Sequence, residues 1–194
     1  MNIGIIGLGV VGKACRAGFE RCGYTVNIHD IAMHTDINVV LDTEICYICV
    51  PTPSNDSGGC DTSIVDSVVE QLINIRYEGI IAIKSTIAPG HTKLLNDRYL
   101  TDRIVFVPEF LKERSAEYDF IFDQTLLLVG TENVNHYYVV VRSHGDLPKQ
   151  QMRVSPTEAE IMKYYHNTFN ATRIVFANVL YAFLFIVCSV SNNY

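Results

Sequence analysis

The sequence predicts an α/β fold with a doubly wound, mainly parallel sheet, followed by a long α-helix. Three observations support this prediction. Short apolar segments of strand length alternate with segments whose apolar residues have helical spacing. A glycine-rich turn joins the first strand candidate to the first helix candidate, and a strong helix start signal appears after residue 150. Apolar strands that alternate with helices indicate parallel pairing, with helices covering both faces of the sheet.

Six strands and three helices are expected before the long helix. The strands are expected at residues 2–6, 24–29, 45–50, 79–83, 103–107 and 125–129. The helices are expected at residues 10–21, 62–75 and 91–99. Most strand candidates are nearly continuous apolar runs, as is typical of strands that are buried on both faces.

The long helix begins at a clear start signal. Ser155 is predicted as its N-cap and Pro156 as its first residue, and Glu158 closes a capping box with Ser155. Residues 143–150, before this signal, have the composition of a loop. We therefore expect one domain over residues 1–150 and the start of a truncated helical domain over residues 151–194.

Composition and charge argue against several classes of protein. The net charge is −6 and no basic stripe is present, which argues against nucleic-acid binding. Cys46 and Cys49 form a C-x-x-C pattern inside an apolar run, with no second pair and no nearby histidine cluster. Buried structural thiols are therefore favoured and no metal is expected. The N-terminus lacks the basic start of a signal peptide, which favours a reducing, cytoplasmic location.

Residues 174–190 are almost entirely apolar, and Asn178 and Ser189 are the clear exceptions. This length is at the lower limit for a membrane span, and no basic flank follows. A helix that is apolar on all sides is buried either in a membrane or in protein. We expect a buried helix or a subunit interface here, and no membrane span.

The segment "GLGVVG" places Gly7, Gly9 and Gly12 in a G-x-G-x-x-G pattern between the first strand and the first helix. Gly7 permits a tight turn, Gly9 lets the backbone approach a pyrophosphate, and Gly12 lets the helix pack close to the strand. Asp30 ends the second strand, where a carboxylate accepts hydrogen bonds from the adenosine ribose. This combination predicts a Rossmann-type domain that binds a dinucleotide.

The carboxylate of Asp30 also favours NAD over NADP, because it would repel a 2′-phosphate and no arginine or lysine follows closely. Two alternatives remain open. The glycine segment is compatible with a tight turn that binds no cofactor, and Asp30 is compatible with an ordinary turn residue.

Polar side chains follow three successive strands of the predicted sheet. In open α/β sheets, ligands bind beyond the carboxyl ends of the strands. The third strand is followed by "VPTPS", the fourth by "KSTIAPG" and the fifth by "PEFLKE". Each residue alone is compatible with an ordinary loop, but together we expect one cleft to be lined by Thr52, Ser85, Thr86, Glu109 and Glu113.

On the long helix, Lys163 and Asn167 are one turn apart and lie on the same face. An ammonium group and a carboxamide that are presented together can stabilise a developing oxyanion. A solvated helix face is the alternative for this pair.

The order of these motifs resembles the UDP-glucose/GDP-mannose dehydrogenase family over nearly the whole chain. The motifs are GLGVVG, Asp30, VPTP, KSTIAPG, PEFLKE and AEIMKYYHN, and they are specific in combination. The resemblance implies that the primary alcohol of a nucleotide sugar, with UDP-glucose as the expected substrate, is oxidised to a carboxylate by two NAD. In that chemistry a cysteine thiol captures the aldehyde, and water releases the acid from a thioester. The resemblance further implies a homodimer formed through the long helix.

The resemblance also implies roles for particular residues. Thr86 is expected to position a catalytic water, Glu113 to act as general base in thioester hydrolysis, and Glu109 to lie beside it. Burial could supply the raised pKa that a base at Glu113 needs. Lys163 and Asn167 match the pair that stabilises the oxyanion. The expected NAD contacts are Gly7, Gly9, Val10, Val11, Gly12, Asp30, Val50, Pro51, Thr52, Ser85, Thr86 and Glu113.

The family's nucleophile lies in a glycine-rich GGxCxPKD-like motif beyond the long helix, and the 194 residues contain no such motif. None of the six cysteines replaces it on sequence grounds. We expect the cofactor half of a two-domain enzyme, as a fragment, a truncated gene product or a half completed by another polypeptide. The alternatives are an NAD-binding module without catalysis and a relative of the 6-phosphogluconate or 3-hydroxyacid dehydrogenases, which share the glycine motif.

Overall fold

The structure is a computed structural model that describes residues 1–56 and 58–191, with side chains described up to residue 185. The strands are β1 (Asn2–Ile6), β2 (Thr25–His29), β3 (Ile45–Ile48), β4 (Ile80–Ile83), β5 (Ile104–Phe106), β6 (Leu126–Gly130) and β7 (Gln150–Val154). The α-helices are α1 (Val10–Arg21), α2 (Ser63–Asn74), α3 (His91–Tyr99), α4 (Ala116–Phe122), α5 (Val134–His144) and α6 (Pro156–Ser191). Across the described residues, the seven strands form one sheet in the order β2-β1-β3-β4-β5-β6-β7.

The sheet is mainly parallel, which confirms the predicted doubly wound fold. All neighbours from β2 to β5 pair in parallel, and so do β6 and β7. The exception is the pairing of β5 with β6, which is antiparallel through Phe106 and Gly130. The strand order reverses at β1, with β2 on one side and β3 on the other. A crevice therefore opens beyond the carboxyl ends of β1 and β3, where dinucleotides bind in folds of this kind.

The sequence prediction omits α4, α5 and β7. Strand β7 pairs with β6 at the edge of the sheet and is mostly exposed, so it lacks the apolar run that marks the buried strands. Helix α5 includes Ser143 and His144, which the sequence places in a loop. Both observations correct the interpretation of residues 143–150 as a simple loop. The sheet continues beyond residue 150 to Val154.

Two apolar clusters, one on each face of the sheet, form the core. One cluster combines strand residues with buried residues of α2 and α3 and with Ala159 of α6. The other combines strand residues with buried residues of α1, α4 and α5. Cys46 belongs to the first cluster and Cys15 to the second, and both are fully buried free thiols. The faces of β3 therefore contribute to both halves of the core, as expected for a central strand.

The predicted capping box at the start of α6 is present. The backbone N–H of Ser155 donates to Glu158 Oε2 over 2.8 Å, and the N–H of Glu158 donates to Ser155 Oγ over 3.3 Å. The two residues thus satisfy each other's backbone donors, and α6 begins at Pro156.

Residues 174–185 are not buried within the chain itself, so of the two expectations, a buried helix or a subunit interface, the chain does not form the first over these residues. Among the α6 side chains that are described, Pro156, Ala159 and Glu160 are buried, and every residue from 171 to 185 is exposed. The side chains of residues 186–190 lie outside the described part. The stretch Pro156–Phe185 is long and apolar enough to cross a membrane, as judged by length and composition. An apolar segment of this size needs a partner or a lipid environment, and the chain's own domain does not supply one.

Candidate active site

The glycine turn between β1 and α1 has the geometry that a dinucleotide site requires. Gly7 has a φ of 92°, and a Cβ atom there would lie 2.6 Å from the carbonyl oxygen of Cys49. A Cβ atom on Gly12 would lie 2.0 Å from the carbonyl oxygen of Gly7. A Cβ atom on Gly9 would meet no described atom within 4 Å. Gly7 and Gly12 are therefore required by the fold, whereas Gly9 leaves open space in front of the N-terminus of α1.

Asp30 lies at the end of β2 and faces the glycine turn. Its Oδ2 accepts the backbone N–H of Leu8 over 2.6 Å, and its Oδ1 accepts the N–H of Ala32 over 2.8 Å. These two backbone hydrogen bonds lower the pKa of Asp30 below its usual range. The carboxylate is therefore anionic at neutral pH and partly exposed, and it keeps lone pairs for the hydroxyl groups of a ribose.

Val10, in the first turn of α1, extends this site towards the β5–α4 connection, whereas Val11 packs partly against the core. Val10 and Lys13 line a groove of about 540 Å³, together with Glu113 and Arg114. Glu113 thus lies close to the glycine helix, although it is distant from the turn in sequence. The structure places Glu113 at the start of a short 3-10 helix, where it is exposed. The burial that was expected for Glu113 is therefore not found in this chain.

The ends of β3 and β4 are tied together by Ser85. Its hydroxyl group donates to the carbonyl oxygen of Val50 over 2.7 Å, so this side chain holds the segment that continues through Pro51 and Thr52. The carbonyl oxygen of Thr86 accepts the thiol of Cys60 over 3.2 Å. The two predicted strand ends therefore meet at one edge of the sheet, as the topology requires.

Glu109 is buried at the end of β5 and joins two lysine residues. Its Oε2 lies 2.9 Å from Nζ of Lys84, which is buried as well. The Nζ atom of Lys163, from α6, donates to the backbone carbonyl of Glu109. The structure thus places Lys163 of α6 next to Glu109, one of the residues of the predicted cleft.

The pKa values of Lys84 and Lys163 both depend on the nearby charge of Glu109. Burial is the largest single effect and would lower the pKa of Lys84, but Glu109, through its charge and its hydrogen bond, and the thiols Cys15 and Cys49 together raise it. Burial and the charge of Lys84 lower the pKa of Lys163, against the opposing effect of Glu109. Lys84 is therefore held as a cation, and Lys163 is the more easily deprotonated of the two.

Sequence reasoning missed Lys84 as a site residue. The available signal was a lysine that directly follows a fully buried strand, because such a group needs a carboxylate partner. Glu109 follows the neighbouring strand and supplies that partner. Sequence reasoning also missed Tyr164, whose side chain hydrogen-bonds Cys60 and whose pKa is raised by burial and by that thiol. Asn167 lies one turn beyond Lys163 and is exposed.

The glycine turn, the anionic Asp30 and the polar strand ends together define a Rossmann-type dinucleotide-binding domain with a lysine from a following helix at its edge. The model of the UDP-glucose/GDP-mannose dehydrogenase family, NAD binding domain, matches residues 30–144. The chain belongs to this family, and NAD is its cofactor.

Individual relatives agree with this assignment. The chain is 32% identical over 148 residues to a UDP-glucose 6-dehydrogenase of Streptococcus pneumoniae, covering 70% of this chain and 37% of that protein. The structure of a UDP-glucose dehydrogenase from Pyrobaculum islandicum superimposes with a TM-score of 0.81 at 23% identity, covering 92% of this chain and 52% of that one. The chain therefore spans about a third to a half of these relatives' lengths.

The fold is also shared more widely. A 3-hydroxyisobutyrate dehydrogenase of Mycobacterium tuberculosis superimposes with a TM-score of 0.65 at 14% identity, covering 92% of this chain and 63% of that one. This likeness concerns the fold alone. The family match separates the two groups.

Proposed function

We propose that this chain forms the NAD-binding part of a nucleotide-sugar dehydrogenase that oxidises UDP-glucose to UDP-glucuronate in two hydride transfers. The observation that carries the proposal is the contact between Lys163 and Glu109. It brings an ammonium group from α6 to the carboxyl end of β5, at the edge of the sheet that carries the glycine turn. A cofactor site and a cationic group for a developing oxyanion thus share one edge of the sheet.

Each polar or glycine residue of the site has a role in the proposed oxidation. Gly7, Gly9 and Gly12 shape the turn that receives the pyrophosphate, and Asp30 holds the adenosine ribose. Bound at this site, each of two successive NAD molecules would supply the acceptor for one hydride. Lys163, with Asn167 beside it on the helix, stabilises the negative charge on the reacting oxygen.

The remaining roles concern water and the acidic groups. Thr86 orders a water molecule near the nicotinamide end of the site, and Glu113 removes a proton from water during thioester hydrolysis. Glu113 is exposed in this chain, so this role requires a further polypeptide segment that covers it. Glu109 pairs with Lys84 and serves as a structural acid.

The proposal assigns no nucleophilic thiol within the described part of the chain. Cys15 and Cys46 are fully buried in the core, where burial raises the pKa of each thiol. A thiol in this state is a poor nucleophile. We infer that the chain binds NAD but makes no UDP-glucuronate by itself, and that it acts in the cytoplasm as a homodimer built on α6, without crossing a membrane.

Calorimetry tests the cofactor half of this proposal. NAD is expected to bind measurably and NADP much more weakly, because Asp30 repels a 2′-phosphate. Asp30→Asn should lower the NAD affinity by about 10-fold or more, the loss expected for hydrogen bonds to a charged group. Asp36→Asn is the matched control, because Asp36 also caps a short 3-10 helix, by accepting the N–H of Asn38, without facing the turn. No heat and no thermal stabilisation with NAD would refute the proposal.

The catalytic half is tested by product analysis. The purified chain, NAD and UDP-glucose are incubated together, and the mixture is analysed by mass spectrometry. We expect no UDP-glucuronate, because Cys15 and Cys46 are buried in the core and the 194 residues carry no GGxCxPKD-like motif. Detection of UDP-glucuronate would overturn the inference that the chain is catalytically incomplete.

A further inference from the structure

Glu160 is a fully buried carboxylate that the proposed chemistry does not use. It belongs to the second turn of α6, and it reaches across to the N-terminus of α3. Its Oε2 accepts the backbone N–H of Gly90 over 2.5 Å. Its Oε1 accepts the N–H of Thr92 over 2.8 Å and the hydroxyl group of Thr92 over 2.6 Å. Three donors from a neighbouring helix start thus converge on one side chain.

The chemistry of these contacts explains why a carboxylate is buried here. The first N–H groups of a helix have no partner within the helix and carry a partial positive charge. Gly90 is the N-cap of α3 and has no side chain that could accept these hydrogen bonds. Glu160 supplies the missing acceptor from another helix, so its charge is compensated without a lysine or an arginine.

Glu160 is also the polar part of a small attachment area. Among the described side chains of α6, Pro156 and Ala159 share the buried surface with it. Ala159 packs against Gly130, where an added Cβ atom would lie only 2.8 Å from the Ala159 Cβ atom. An apolar contact of this kind permits sliding and rotation, whereas three directed hydrogen bonds fix both.

The position of Lys163 depends on this fixation. Lys163 lies three residues after Glu160, which is about 4.5 Å along the helix axis and about 60° around it. A helix side chain ends about 6 Å or more from the axis, so a rotation of about 30° would move Nζ by about 3 Å. A displacement of that size would break the hydrogen bond from Lys163 to the carbonyl of Glu109.

We propose that Glu160 is a positioning residue that sets the rotation of α6 and thereby holds Lys163 on the backbone of Glu109. The catalytic role of Lys163 rests on the proposed function, whereas its position beside Glu109 does not. The positional claim concerns the folded chain itself.

Acetylation of lysine side chains followed by peptide mass spectrometry tests the claim in the whole chain. Three lysines serve as internal probes in one experiment. Labelling of exposed Lys93 measures the reactivity of the reagent, labelling of fully buried Lys84 measures unfolding of the whole domain, and labelling of half-buried Lys163 measures the position of α6. In Glu160→Gln, an amide N–H₂ replaces one acceptor, and the ratio of Lys163 to Lys93 labelling should rise about 5-fold or more, as for the loss of one charged hydrogen bond. Lys84 should remain protected.

Glu70→Gln is the matched control, because it removes the same charge from an exposed position on α2, away from the capping box and the attachment area of α6. Its labelling ratio should equal that of the unchanged chain. Unchanged protection of Lys163 in Glu160→Gln, with faster amide exchange at Thr92, would overturn the proposal. Calorimetry with NAD on the same variants reports separately on the proposed function, since the glycine turn lies outside this contact.

Thr92→Val provides a second route if Glu160→Gln fails to fold. It removes one of the three donors and keeps the size of a buried side chain. Raised labelling of Lys163 with Lys84 still protected would support the proposal. Labelling of Lys84 in both variants would overturn it, because the contact would then hold the domain together and not Lys163 in particular.

Discussion

Lys84 and Glu109 form an ion pair inside the domain, with Nζ 2.9 Å from Oε2 and side-chain exposures of 0% and 8%. The ammonium group also lies over the rings of Tyr47 and Phe120, at 5.6 and 5.7 Å from their centroids. The pair joins the ends of two neighbouring parallel strands, and the same glutamate receives Lys163 through its backbone. Glu109 therefore belongs both to the interior of the domain and to the candidate site.

Breaking this pair should destabilise the fold. In Lys84→Met the carboxylate of Glu109 is left buried without its partner, and we expect the free energy of unfolding to fall by about 3–5 kcal/mol. Urea denaturation followed by circular dichroism measures the change. Lys93→Met is the control, because Lys93 pairs with Asp97 on the exposed face of α3, where such a pair contributes about 0.5 kcal/mol or less. A loss below about 1 kcal/mol in Lys84→Met would contradict a buried, charged pair.

Replacing Gly9 and Gly12 by alanine should have different effects on stability and on NAD binding. Gly12→Ala places a methyl group 2.0 Å from a backbone oxygen, so we expect a lower melting temperature and no NAD binding. Gly9→Ala meets no described atom within 4 Å, so the melting temperature should stay nearly unchanged while the NAD affinity falls. Thermal unfolding and calorimetry on both variants check this. Equal NAD affinity in Gly9→Ala and the unchanged chain would show that the cofactor does not approach this turn.

His144 should make the domain sensitive to acid. It is fully buried beside Phe19 and Phe120, and burial, with the charge of Lys84, lowers its pKa to about 3. The unfolded chain binds a proton on this histidine below its ordinary pKa of about 6.5, and the folded chain does not until about pH 3. The stabilisation of the folded state by buried, neutral His144 is therefore complete above about pH 6.5 and is lost as the pH falls from 6.5 towards 3.

Replacing His144 by phenylalanine should remove that sensitivity. Between pH 6.5 and pH 4 the unfolding free energy of the unchanged chain should fall by roughly 3 kcal/mol more than that of His144→Phe. Denaturation curves at a series of pH values provide the comparison. His34→Asn is the control, since His34 is exposed and has a φ of 52°, which asparagine tolerates. Parallel pH curves for the unchanged chain and His144→Phe would contradict the buried neutral state.

The exposed face of α6 between residues 171 and 185 should mediate self-association. Leu180 and Leu184 are one turn apart and about half exposed, and each gains roughly 1.5–3 kcal/mol if a second copy buries it. Sedimentation should show a dimer for the unchanged chain and a monomer for the double variant Leu180→Glu and Leu184→Glu. Asn178→Glu, on the same helix at a polar position, should remain dimeric. A monomeric chain that partitions into phosphatidylcholine vesicles would instead indicate a membrane-binding helix.

The sequence predicted well where the signal is local. The glycine turn depends on backbone space within a few residues, and the capping box at Ser155 and Glu158 joins positions three apart. Buried parallel strands are visible as apolar runs, and β7 is not, because an edge strand with polar residues lacks that pattern. Contacts such as those of Glu160 with Gly90 and Thr92 join distant segments and leave no periodic pattern in the sequence.

By itself, the sequence determined the doubly wound fold, the cofactor turn and the start of the long helix, since local spacing and residue type are sufficient for each. Only the tertiary structure decided that Lys84 pairs with Glu109, that Glu113 is exposed and that α6 is exposed from residue 171 to residue 185. These properties depend on which distant groups share a low-dielectric interior and which face water. Burial and charge pairing are relations between segments, and they exist only once the chain has folded.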